Sequence, residues 1–101
     1  MADRLENIET HLSQALVKRL TDDAYARRSF ADSLGLDEAM SDAGDGIRIR
    51  AANGDIVHIR ASGNEPELRV YVETSSPDAA RRLLASAIAQ IPGLLEASTP
   101  D

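Results

Sequence analysis

Between residues 47 and 73 hydrophobic side chains fall on alternate positions, and this period of two constrains the fold more than any other feature. Ile47 and Ile49 alternate with Arg48 and Arg50. Val57 and Ile59 lie on one face of the next run, with Ile56, His58 and Arg60 on the other. Leu68, Val70 and Val72 alternate with Arg69, Tyr71 and Glu73. Successive side chains of a strand point to opposite faces, so each run buries one side and exposes the other. Asn53-Gly54 separates the first two runs and predicts a type I′ hairpin turn, in which both central residues take positive φ. Strands joined this way are antiparallel.

The flanking segments follow a helical rhythm. Leu12, Ala15, Leu16 and Leu20 mark a first helix, for which Thr10 is the expected N-cap. Asp22-Asp23 interrupts the rhythm and caps a second helix, whose stripe is Ala26, Phe30 and Leu34 and whose stop is Gly35. Residues 37–46, acidic and rich in small side chains, read as a loop. Ser76-Pro77 opens a third helix with an apolar stripe of Ala80, Leu83, Leu84, Ala87, Ile88 and Ile91, and Pro92-Gly93 is expected to end it. The predicted organisation is a lead-in or linker over residues 1–9, one domain over 10–95 and a frayed tail over 96–101. The order helix, helix, three strands, helix makes an α+β fold, an antiparallel sheet with helices on one face.

Composition excludes several classes. The 101 residues allow one domain, and 43% hydrophobic residues allow it a core. Only Phe30, Tyr25 and Tyr71 are aromatic, so that core must be aliphatic, and a stacking surface for RNA is lacking. A net charge of −6 also argues against nucleic acid. With no cysteine, no apolar run long enough to span a membrane and no apolar leader, the expectation is a cytoplasmic chain without thiol or disulfide chemistry. The charge is uneven: residues 1–45 hold 5 basic and 10 acidic side chains, residues 46–73 hold 4 of each, and the basic ones there are all Arg. A bound anion is best tolerated in that middle segment.

Chemistry concentrates in the connection between the second and third runs, Arg60-Ala-Ser-Gly-Asn-Glu-Pro-Glu-Leu-Arg69. Arg60 and Arg69 offer planar guanidinium forks, Ser62 a hydroxyl and Asn64 an amide. Gly63 permits close backbone approach and the dihedral alternation that turns successive N–H groups toward an anion. Against this, the same residues make an ordinary turn, and Glu65 and Glu67 would repel an anion unless they point away. The remaining candidates read as structural or solvated: His11 and His58 without a fixed carboxylate partner, and Asp42-Ala-Gly-Asp45 without the further ligands that a metal loop needs. Tyr71 stands where it can flank a cleft.

The run Arg60-Ala-Ser-Gly-Asn-Glu-Pro-Glu-Leu-Arg-Val-Tyr-Val-Glu73 resembles the phosphate-binding loop of the α-D-phosphohexomutases, the phosphomannomutase and phosphoglucomutase superfamily. Asp45-Gly-Ile-Arg-Ile49 and Asn53-Gly-Asp-Ile-Val-His58 resemble the hairpin before that loop, and Asp3-Arg-Leu-Glu-Asn-Ile8 the lead-in of the same domain in bacterial members. Asn64 departs from the family's usual Thr, replacing a hydroxyl donor with an amide. The resemblance implies the TATA-box-binding-protein-like C-terminal domain of a four-domain isomerase. It also implies hexose phosphate or inorganic phosphate as ligand, held by Arg60, Ser62, Gly63, Asn64 and Arg69, and the other enzyme domains as partners. The phosphoserine and Mg²⁺ loops of the family have no counterpart in this sequence, so Mg²⁺ is expected in another domain and no catalysis from this one alone. The alternative is a small α+β interaction or regulatory module whose loop binds nothing.

Overall fold

The structure, a computed structural model, describes residues 1–98. It is an α+β fold whose elements run β1 (Ala2–Glu6), α1 (Thr10–Asp22), α2 (Ala24–Ser33), β2 (Glu38–Asp42), β3 (Ile47–Ala51), β4 (Ile56–Ala61), β5 (Glu67–Glu73) and α3 (Pro77–Ser98). The strands form one sheet in the order β1-β5-β4-β3-β2, with every neighbouring pair antiparallel. The inward side chains Ile47, Ile49, Val57, Ile59, Leu68, Val70 and Val72 pack in one cluster with Leu16 and Leu20 of α1, Phe30 of α2 and Leu84, Ala87 and Ile91 of α3. The helices therefore cover one face of the sheet, and the arginines of the period-two runs lie on the other.

Two strands lie where no strand was expected. β1 occupies the segment read as a lead-in, pairing Ala2 to Glu6 with Tyr71 to Glu67, and β2 occupies the segment read as an acidic loop. Both are edge strands. An edge strand with one neighbour need not bury alternate side chains, and β2 has no fully buried residue. The ion pair that anchors β2 is itself largely buried: Glu38 accepts from Arg27 Nε at 2.7 Å, while Arg27 Nη1 donates to the carbonyls of Leu20 and Thr21. One guanidinium thus joins β2 to carbonyls left open at the end of α1.

The helix ends differ in detail from expectation. α1 begins at Thr10, but its N-cap is Glu9 and no side chain bonds there. Asp23 does cap α2, its carboxylate accepting from Ala26 N–H at 3.1 Å. Gly35, at φ +75°, completes a Schellman turn in which Leu36 N–H bonds Ala31 O and Gly35 N–H bonds Asp32 O. α3 passes through Pro92 and continues to Ser98. Leu94 and Leu95 pack against the core, and Arg19 Nη1 donates to Ser98 Oγ at 3.3 Å, so docking of the last turns outweighs the missing proline N–H. Of the expected tail, residues 96–98 are helical and 99–101 lie outside the described residues.

The β3–β4 turn is also not type I′. Gly54 has φ +93°, but Asn53 does not take positive φ. Gly54 N–H bonds Ala51 O and Ala51 N–H bonds Asp55 O, which makes a three-residue loop closed by a glycine bulge. Asn53 contributes through its side chain, with Oδ1 accepting from Asp55 N–H at 2.9 Å.

Glycine is most strictly required at position 46. Gly46 has φ +68°, and a Cβ there would collide with the backbone oxygen of Ile59 and lie 3.0 Å from Arg60 Cα. At Gly54 a Cβ would meet open space, so only the dihedral cost applies. Gly46→Ala should therefore lower stability by about 2–4 kcal/mol and Gly54→Ala by about 1 kcal/mol, as read from urea midpoints at constant m. Ser13, fully buried on α1, has a hydroxyl with no hydrogen-bond partner among the described residues. Ser13→Ala should raise stability by about 1 kcal/mol, because it removes an uncompensated polar burial and improves helix propensity.

Candidate functional site

The inward pairing of hydrophobic residues dictates what stands opposite what on the outer face. Ile59 pairs with Val70 and Ala61 with Leu68 toward the helices, so Arg60 stands directly across from Arg69. Like charges in that position repel, unless anions lie between or beside them. Each guanidinium has a carboxylate at the long end of ion-pair range: Asp45 Oδ2 is 3.4 Å from Arg60 Nη1, and Glu67 Oε1 is 3.4 Å from Arg69 Nη2. Both arginines remain open to water, at 37% and 40% side-chain exposure. The Arg60–Asp45 pair, exposed at both ends, is weak and exchanges readily for a better anion, whereas the Arg69 pair has a buried partner in Glu67.

The loop over residues 62–66 projects from this arginine pair. Ser62 N–H bonds Glu67 O at 3.1 Å, and Ser62 Oγ accepts from Glu65 N–H at 3.2 Å. Ser62 is buried and braces the loop, while its hydroxyl proton is left to donate. Gly63 and Asn64 are exposed, and their backbone N–H groups and the Asn64 amide have no protein partner among the described residues. Gly63 does not take positive φ, and a Cβ there would meet open space. The expected dihedral alternation is thus absent, and any need for glycine at 63 must come from a group approaching from outside.

The two glutamates of the loop face charged partners. Glu67 is buried, with Oε1 near Arg69 and Oε2 3.2 Å from Arg4 Nε, although Oε2 accepts no hydrogen bond among the described residues. The Glu65 carboxyl is pushed up, mainly by its hydrogen bond to Glu67 and by the charge there. Glu67 is held down, first by that hydrogen bond and, against its burial, by the guanidinium groups of Arg69 and Arg4. Arg69 is pushed further up, first by the hydrogen bond to the Tyr71 hydroxyl and then by Glu67. The carboxylates therefore turn toward the arginines and toward each other, and the repulsion feared from the sequence is largely spent internally.

Three residues contribute that the sequence did not mark as part of the anion site. Arg4 of β1 stands opposite Arg69 in register, and the pairings set Arg4, Arg69 and Arg60 in one row across three strands. Asp45 is brought to Arg60 by the tight approach of Gly46 to β4, and Glu67 lies beside the row, two residues along β5 from Arg69. Register alone reveals Arg4, because β1 has no hydrophobic period from which its strand could be read. Tyr71 lies on the same face and, with Ala2, Asp3, Arg4 and Arg69, lines an open depression of about 250 Å³.

The other candidates fall out as structural. His58 Nε2 bonds the backbone oxygen of Asp45, and its ring lies 5.5 Å from that of Tyr71, tilted by 36°. It has no carboxylate partner of the kind that acid–base catalysis needs. His11 is exposed beside Glu9. Asp42 accepts from Gly44 N–H and Asp45 faces Arg60, so the two do not converge. No group of three or more His, Cys, Asp or Glu among the described residues is placed to hold a metal ion, and these residues do not fit a Mg²⁺ site. No described helix is long and apolar enough to cross a membrane.

Comparison with known proteins gives the family. A phosphomannomutase of Sinorhizobium fredii is 40% identical over 89 residues, which covers 88% of this chain and 19% of that protein. A phosphomannomutase of Salmonella muenchen is 34% identical over 94 residues, covering 89% of this chain and 19% of its own length. The chain thus spans about a fifth of the length of the curated relatives it matches. Residues 16–90 match the family model described as phosphoglucomutase/phosphomannomutase, C-terminal domain. With three quarters of its length matched, and the Arg60–Arg69 hairpin inside the match, the chain belongs to the phosphoglucomutase/phosphomannomutase C-terminal domain family.

Proposed function

We propose that this domain grips the phosphate of a hexose phosphate, clamping the end that is not reacting while phosphoryl transfer proceeds elsewhere in a longer, cytoplasmic enzyme. The observation that carries this reading is the opposed pair Arg60 and Arg69 at the root of a loop whose Gly63 and Asn64 N–H groups have no protein acceptor. Two guanidinium forks, two backbone donors, the Ser62 hydroxyl and the Asn64 amide match a phosphate's several oxygens. Binding energy from a remote phosphate orients the reacting end, which raises the rate of a step that this domain does not itself perform. Because the contacts go to phosphate rather than to the sugar, mannose and glucose phosphates should bind alike.

The domain's part is positional. The nucleophile and any Mg²⁺ of the full reaction are assigned to the other domains of such an enzyme, which are this domain's partners. Bonds to a charged group contribute roughly 1.5–3 kcal/mol each, and association costs at least about 4 kcal/mol. Three such bonds leave a dissociation constant in the region of millimolar or weaker for the isolated domain.

Amide NMR titration of the chain with inorganic phosphate, mannose 1-phosphate and glucose 1-phosphate tests the reading. Saturable shifts confined to residues 60–69, alike for the three ligands, are expected, and Arg60→Ala should weaken them at least about tenfold with the remaining spectrum unchanged. Scattered shifts, or none at concentrations on the order of tens of millimolar, would overturn it.

A further inference from the structure

Arg4 is unexplained by the phosphate loop as read from the sequence, yet it completes a row. It faces Arg69 across the β1–β5 pairing just as Arg60 faces Arg69 across β4–β5. Adjacent strands are separated by only about 4.8 Å, so Arg69 stands between two guanidinium groups within reach of its own. The Glu67 carboxylate bridges two members of the row, with one oxygen 3.2 Å from Arg4 Nε and the other 3.4 Å from Arg69 Nη2. A single oxyanion therefore spans Arg4 and Arg69 in this geometry. Arg4 is the most exposed of the three, at 59%, and its carboxylate contacts, to Glu6 and Glu67, are made through Nε. The Nη atoms of its guanidinium make no hydrogen bond or ion pair among the described residues, and Arg4 lines the depression together with Arg69 and Tyr71.

We propose that Arg4 is a third phosphate-binding arginine, supplied by the edge strand β1 and held in place by its hydrogen bond to Glu6 and the charge of Glu67. This rests on the phosphate-clamp reading above and adds a residue outside the loop. Arg60 and the loop donors take one side of the phosphate, and Arg4 closes the other side across Arg69. The competing role is purely structural: neutralising the buried Glu67, with no contact to ligand.

The test is the phosphate titration repeated with Arg4→Gln and Arg4→Lys, together with the Arg side-chain Nε–H resonances of nitrogen-15-labelled wild type. Arg4→Gln should weaken inorganic phosphate by about three- to tenfold, because an exposed charge-assisted contact is lost. Arg4→Lys should recover part of the loss by restoring the charge without the fork. The Arg4 Nε–H resonance should move with the same saturation curve as the Gly63 and Asn64 amides. An unmoved Arg4 resonance, while those amides saturate and Arg60→Ala weakens their binding as expected, would overturn the proposal and leave the clamp standing. An absence of saturable shifts in wild type would instead remove the clamp reading and this proposal with it. The wild-type resonance decides the matter even if Arg4→Gln fails to fold.

Discussion

The register between β4 and β5 is the constraint on which the rest depends. Val57 pairs with Val72, Ile59 with Val70 and Ala61 with Leu68 on the side covered by helices, and the alternate positions of the same strands pair His58 with Tyr71 and Arg60 with Arg69. A slip of β5 by one residue would turn its set over, sending Arg69 into the core and Leu68, Val70 and Val72 out to solvent. Burial of an aliphatic side chain contributes about 1.5–3 kcal/mol, so the five larger inward residues together outweigh by far the cost of about 1 kcal/mol for one pair of like charges face to face. Hydrophobic burial thus imposes an arrangement of guanidinium groups that electrostatics alone would reject.

What makes the arrangement tolerable is the placement of acids around it. Gly46 has no Cβ and so lets the start of β3 press on the backbone at Ile59 and Arg60, which carries the preceding Asp45 up to the Arg60 guanidinium. The backbone oxygen of Asp45 is held in turn by His58, whose ring lies by Tyr71. On the other side, Glu67 is drawn between Arg4 and Arg69, and Glu65 turns its carboxyl onto Glu67. The row is therefore nearly balanced in charge without a ligand, even though the whole chain carries a net charge of −6. The exposed ion pair of Arg60 to Asp45, at 3.4 Å, is long enough to yield to a closer anion, while buried Glu67 keeps its place beside Arg69.

The centre of the sheet was legible in the sequence because it is buried on one side. Ile47, Ile49, Val57, Ile59, Leu68, Val70 and Val72 had to alternate, and they do. The edges were not legible for the converse reason: β1 and β2 gain their stability from one neighbour and from charged side chains such as Arg27 with Glu38, and such contacts leave no period. Arg4 was lost with β1. Local rules also yielded to tertiary contacts, since Pro92 did not end α3 once Leu94 and Leu95 could dock. Asn53 found a side-chain bond to the Asp55 backbone in place of the expected positive φ. Within the loop, residue identities were readable, but the bracing role of Ser62 depends on Glu65 N–H and Glu67 O, which only the folded hairpin brings together.

On the phosphate-clamp reading, these internal acids set how the site works. A guanidinium row with no counter-anions would hold phosphate tightly and also bind any other polyanion. With Asp45 and Glu67 in place, phosphate must displace or outcompete carboxylates already present, so binding becomes an exchange of one anion for another, and the net gain is only the difference between the two. Backbone donors alter that difference in favour of phosphate: the free N–H groups of Gly63 and Asn64 have no internal acceptor to give up. Specificity for phosphate then comes from the loop, charge from the arginine row, and ready release from the acids beside it. That division suits a clamp that must hold one end of a sugar phosphate firmly enough to orient it, yet let go once the other end has reacted.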